Sequence, residues 1–135
     1  MFQLSKKVEY GLIAIRHMAG GSPNRMFTAK EIADAYHISY ELLAKVMQKL
    51  AKEGFIASYQ GVHGGYALVR NPRDLKVSSV INAIEGKMTV TIIQCAAEKS
   101  EDCTIRSTCT IKDPLVKLQD NINKMFDEMT VLEMV

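Results

Sequence analysis

The sequence predicts a mainly α chain with one small β-hairpin and a long closing helix. Three observations carry this: two short capped segments joined by a tight turn, a glycine-rich hairpin directly after them, and a heptad of apolar residues near the C-terminus.

Ser5 is placed to N-cap a first helix running to about Ala19, with Val8, Leu12, Ile15 and Ala19 on one face. Gly20-Gly21-Ser22-Pro23-Asn24 breaks it. Thr28-Ala29-Lys30-Glu31 has capping-box spacing, in which the Thr hydroxyl satisfies a free N–H and the Glu carboxylate reaches back to the cap. Ile32, Ala33 and Tyr36 give this second helix an apolar side. Ser39 then caps a third helix, Tyr40 to Glu53, buried through Leu42, Leu43, Val46, Met47 and Leu50, with Gly54 at its end. Lys45, Lys49 and Lys52 form a basic stripe on its opposite face. Two short helices with a basic outer stripe on the second make a helix-turn-helix.

Phe55–Tyr59 and Tyr66–Val69 read as strands around the turn Gln60-Gly61-Val62-His63-Gly64-Gly65. A hairpin in that position is a wing, so the fold class is a winged helix-turn-helix plus a long C-terminal helix. Ser78 or Ser79 is expected to cap a short helix that Gly86 stops. Met88 to Ile93 alternates loosely as extended chain, and residues 95–109 read as a polar loop. Asp113-Pro114 signals the last helix, where Leu115, Leu118, Ile122, Met125, Met129 and Leu132 recur at steps of three and four. This seam is about 20 residues or ~30 Å long, and a small chain has little to cover it, so a homodimer is expected. The chain divides into a DNA-binding unit at 1–86, a cysteine segment at 87–112 and a dimerisation helix at 113–135.

Composition sets the frame. With 47% hydrophobic and 24% charged residues in 135, the chain has a core of ordinary size. No apolar run approaches the ~20 residues of a membrane span, and no targeting signal is visible, which implies a cytoplasmic protein without a membrane partner. The net charge of +2 does not announce nucleic-acid binding, but basic residues are dense in the first half and acidic ones collect near the cysteines and in the last segment. Three cysteines, an odd number, argue against a secreted disulfide scaffold.

In this order of elements the chain resembles the Rrf-two family of bacterial winged-helix regulators, which includes the IscR, NsrR and RirA types. The most specific stretches are Leu43-Ala44-Lys45-Val46-Met47-Gln48-Lys49-Leu50, Gly54-Phe55-Ile56 and Gly61-Val62-His63-Gly64-Gly65-Tyr66. The resemblance implies a dimer that binds a palindromic operator in double-stranded DNA, with Thr28, Ser39, Tyr40, Glu41 and Lys45 at the contacts of the helix-turn-helix. It places Tyr59, Gln60 and His63 on the wing. His63 stands where many relatives have glycine, and Gln60 where arginine is frequent, so no relative's sequence preference is carried over. The residues themselves agree: the start of a recognition helix reaches base edges, while lysines (Lys49 included) and the wing hold phosphates.

Seven residues separate Cys95 from Cys103 and five separate Cys103 from Cys109. That is neither a zinc-finger nor a thioredoxin spacing. The bland reading is three small packing or surface residues; against it, all three thiols fall within fifteen residues of one polar loop. The resemblance implies that they hold an iron–sulfur cluster, [2Fe-2S] or [4Fe-4S], sensing iron, redox state or nitric oxide. Such clusters usually take four ligands. No histidine follows Cys109, and Glu9 lies where one branch of the family has an acidic residue, so it is the candidate fourth ligand from the partner subunit; the competing reading is a solvated glutamate in a first helical turn. His17, His37 and His63 are scattered without metal spacing. A metal-free or zinc-bound thiol-sensing regulator stays open as an alternative. A thiol redox enzyme ranks far below, because the chain lacks a Cys-x-x-Cys pair, a Ser/His/Asp-like set and a nucleotide-binding glycine motif; no enzyme activity is expected.

Overall fold

The computed structural model describes residues 3–22, 24–86 and 108–135. Its elements are α1 (Lys6–Ala19), α2 (Ala29–Tyr36), α3 (Tyr40–Lys52), β1 (Ile56–Tyr59), β2 (Gly65–Leu68), α4 (Val77–Glu85) and α5 (Lys112–Glu128), followed by a 3₁₀ turn at Val131–Met134. The expected extended chain at Met88–Ile93, and Cys95 and Cys103, lie outside the described residues.

The caps set the first three helices as their spacing requires. Ser5, Thr28 and Ser39 each sit in extended backbone and accept from the N–H three residues on, at Val8, Glu31 and Leu42. Only half of the expected capping box at Thr28 forms. The Glu31 carboxylate turns instead to the Arg25 guanidinium at 2.6 Å, a charge-assisted bond stronger than one to a neutral N–H.

α1 packs on α3 and α4, α2 on α3, and α4 on α5, around one contiguous core. Ile15, Ile32, Leu43, Met47, Leu50, Ile56, Ile81 and Val80 are fully enclosed there. Leu12 and Leu42, expected on buried faces, are only half-buried. β1 and β2 pair antiparallel with Ile56 opposite Leu68 and Tyr59 opposite Gly65. Phe27 adds a bridge to Tyr66 through two backbone bonds of 2.8 and 2.6 Å, fastening the wing to the segment before α2.

Three helix ends differ from expectation. α4 starts at Val77 rather than after Ser78 or Ser79, because Leu75 and Val77 are drawn into the core and Ser78 is carried inside with them. The C-terminal helix ends at Glu128 rather than carrying its seam to Leu132. Thr130 and Glu133 form a reciprocal capping box that starts the 3₁₀ turn. Val131 is thereby buried in the core, donating its N–H to Leu75 at 2.8 Å, and the Arg16 Nε donates to the Met134 carbonyl. At its start α5 begins two residues before Pro114, with Ile111 as an N-cap that makes no side-chain bond. Pro114 falls in the first turn, where its missing N–H has no intrahelical acceptor to lose.

Candidate nucleic-acid interface

The turn between α2 and α3 is three residues, His37 to Ser39. His37 takes the left-handed conformation (φ 54°) and donates its N–H to Ala33, which ends α2 and redirects the chain. α3 buries Leu43, Val46, Met47 and Leu50, and so presents Tyr40, Glu41, Lys45 and Lys49 outward. Ser39 and Thr28 lie at the exposed N-termini of their helices, where free N–H groups suit a phosphate. Lys45 makes no ion pair with any described residue. Its ammonium is available.

Lys49, one turn later, has a different environment. Its Nζ donates to the Ile84 carbonyl at the end of α4, at 2.7 Å and partly buried. The two lysines of the stripe therefore differ in kind, a distinction that helical periodicity does not contain.

On the wing, Tyr59, Gln60 and His63 are exposed, and Val62 at the tip is 98% exposed. The glycines there first serve the hairpin itself. Gly61 has φ 110° and Gly65 φ 151°, and a Cβ at Gly65 would stand 2.7 Å from the Phe27 carbonyl oxygen. Strand patterns alone do not reveal the Phe27 bridge. Its signal in the sequence is the apolar residue just before the Thr28 cap, matched by Ile32 four positions after it, the spacing of a hydrophobic staple.

Of the cysteines, Cys109 is described: a half-buried free thiol just before α5. Glu9 lies in the first turn of α1 and accepts from the Lys6 ammonium at 2.9 Å. That hydrogen bond and charge raise the pKa of Lys6 above its ordinary value. No group of three or more potential metal ligands comes together among the described residues. His17 is held in an aromatic contact, edge-on to Phe27 and Tyr36 with its Nδ1 2.9 Å from the Tyr36 hydroxyl.

The model of the Rrf2 family, described as iron-dependent transcriptional regulator, matches residues 4–135. The chain belongs to the Rrf2 family. It is a DNA-binding transcriptional regulator with a winged-helix fold, as its resemblance to the family implied. Relatives of this Rrf2 regulator include the HTH-type transcriptional regulator NsrR of Shouchella clausii, 26% identical over 133 residues covering 98% of this chain and 88% of that one. Among solved structures, CymR, the global cysteine regulator of B. subtilis, superposes with a TM-score of 0.77 at 23% identity, covering 99% of this chain and 96% of its own. IscR of T. potens gives a TM-score of 0.69 at 27% identity, with 98% and 85% covered. The NsrR relative is a transcriptional regulator by name, and no described helix is long and apolar enough to cross a membrane.

Proposed function

We propose that this Rrf2 regulator binds a two-fold symmetric DNA operator as a homodimer and that an iron–sulfur cluster sets its DNA affinity. The observation that carries the DNA reading is the exposed start of α3, with Tyr40, Glu41 and Lys45 outward, in a chain whose wing tip is also exposed. In this reading the first residues of α3 meet base edges in the major groove. Thr28, Ser39 and Lys45 hold phosphates, and Tyr59, Gln60 and His63 on the wing lie along the backbone beside them. In this reading residues 1–86 form the DNA-binding unit, 87–112 the cluster segment and 113–135 the dimerisation segment, in which the turn after α5 is anchored in the core through Val131.

The donor set suits the cofactor. Three thiols in one segment are soft ligands of the kind that iron–sulfur clusters take, and the described one, Cys109, is free of any disulfide. The family's description as iron-dependent supports the same reading. Cys95, Cys103 and Cys109 would hold the cluster and Glu9 of the partner subunit would complete it. When bound, it would supply an iron atom with a weak carboxylate ligand, open to exchange, nitric oxide or loss. Glu9 is paired with the Lys6 ammonium at 2.9 Å, an ion pair that ligation would have to open.

The test is an anaerobic absorption spectrum with iron and sulfide analysis. A brown protein that binds both, and loses both in Cys109→Ser, supports the reading. A colourless parent, or one holding zinc, contradicts it and leaves a thiol-sensing DNA-binding regulator. If Glu9→Ala matches the parent in spectrum and stability, Glu9 is not a ligand.

A further inference from the structure

We infer that Lys49 is a positioning residue rather than a phosphate contact: its bond to Ile84 ties the recognition helix to the joint from which the cysteine segment departs. The coupling half of this inference rests on the cluster reading above; the assignment of Lys49 does not.

The last carbonyls of any helix lack an intrahelical donor. In α4 the Gly86 N–H takes the Asn82 carbonyl, and the Lys49 ammonium takes that of Ile84 at 2.7 Å. A cation there also opposes the partial negative charge of the helix end. Ile84 and its neighbour Glu85 are gripped from the other side. The Ser5 hydroxyl, which caps α1, donates to the Glu85 carboxylate. The Ile84 side chain is buried against Gly11 so closely that any side chain at that position would collide with it. The end of α4 is thus clamped between the start of α1, where Glu9 sits one turn past Ser5, and the C-terminal half of α3.

One residue later Gly86 turns the chain with φ 85°, and Cys95 follows nine positions on. A displacement of the chain after Gly86 meets the Gly86–Asn82 and Ser5–Glu85 bonds and then reaches the Ile84 carbonyl. Lys49 then passes the displacement to α3, while Lys45, with no described ion-pair partner, remains the phosphate contact. Two lysines four apart divide the work: one meets DNA, the other reports the state of the cysteine segment.

The experiment uses a duplex that the parent selects from a random-sequence pool, titrated across salt concentrations. Lys49→Met is expected to keep the parent's salt slope, whereas Lys45→Ala flattens it by about 1.8, the share of two neutralised phosphates, one for each protomer of the dimer. In the second arm, the iron-loaded and iron-free parent differ in affinity by a factor in the ~5–150-fold range, and in Lys49→Met they converge to within about twofold. Lys49→Arg, which can still donate to the carbonyl, restores the difference. Amide exchange at Glu85 and Gly86 should quicken in Lys49→Met and not in Lys49→Arg. A Lys49→Met slope flattened as much as that of Lys45→Ala overturns the assignment. An affinity ratio unchanged from the parent overturns the coupling. A parent that holds no iron sinks the cluster reading, while the salt arm still decides Lys49.

Discussion

Lys45 and Lys49 are four residues apart on one helix, yet one is free and the other is bonded to a carbonyl 35 residues away in the chain. Side-chain bonds that close within three residues were legible: Ser5, Thr28 and Ser39 cap as their spacing requires. Bonds settled by tertiary neighbours were not. Glu31 answers Arg25 instead of its own helix cap, and Lys49 answers Ile84 instead of solvent. The wing glycines show the same divide, since a turn was visible but the reason for Gly65 was not. Its positive φ and the Phe27 oxygen behind it leave no room for a side chain. Gly65→Ala is expected to cost about 1–3 kcal/mol through backbone strain and a weakened Phe27–Tyr66 bridge. Thermal unfolding should show a drop of several degrees; an unchanged Tm would mean that the wing absorbs the methyl group freely.

At the scale of elements, α5 holds the clearest consequence. Part of its apolar side is exposed among the described residues: Leu118 is 48% exposed, Met125 69% and, at its C-terminal cap, Met129 45%. Ile122, Met125, Phe126 and Met129 line an apolar groove of about 300 Å³. Such a face is expected to find a second copy. Ile122→Asp should therefore yield a folded monomer, because an unpaired charge buried in the seam costs several kcal/mol while Ile122 is only partly buried within its own chain. Sedimentation reads this directly, and an unmodified protein that sediments as a monomer would show the seam serving another purpose. The heptad was legible from the six apolar positions; its early end was not. Thr130-Val131-Leu132-Glu133 carries a start signal of its own, and burial of Val131 lets that signal override the continuing period.

For the whole molecule, order of elements was the most informative property of the sequence. A helix-turn-helix, wing, cysteine segment and closing helix each say little alone, and together they led to the Rrf2 family. How the end of α4 is tied to α1 and α3 was not legible, because the clamp around Ile84 and Glu85 is made by bonds between residues 35 and 80 positions apart in the chain. In the proposed homodimer, two recognition helices held apart by paired α5 helices read one symmetric site. Selection of duplexes from fragmented genomic DNA by the intact protein tests this most directly. The expected result is an enriched two-fold symmetric motif whose half-sites lie about 34 Å, one helical turn, or a small multiple of it apart, with weaker binding but the same motif in Lys45→Ala. Recovery of no enriched duplex sequence, or of an asymmetric single half-site, would contradict it.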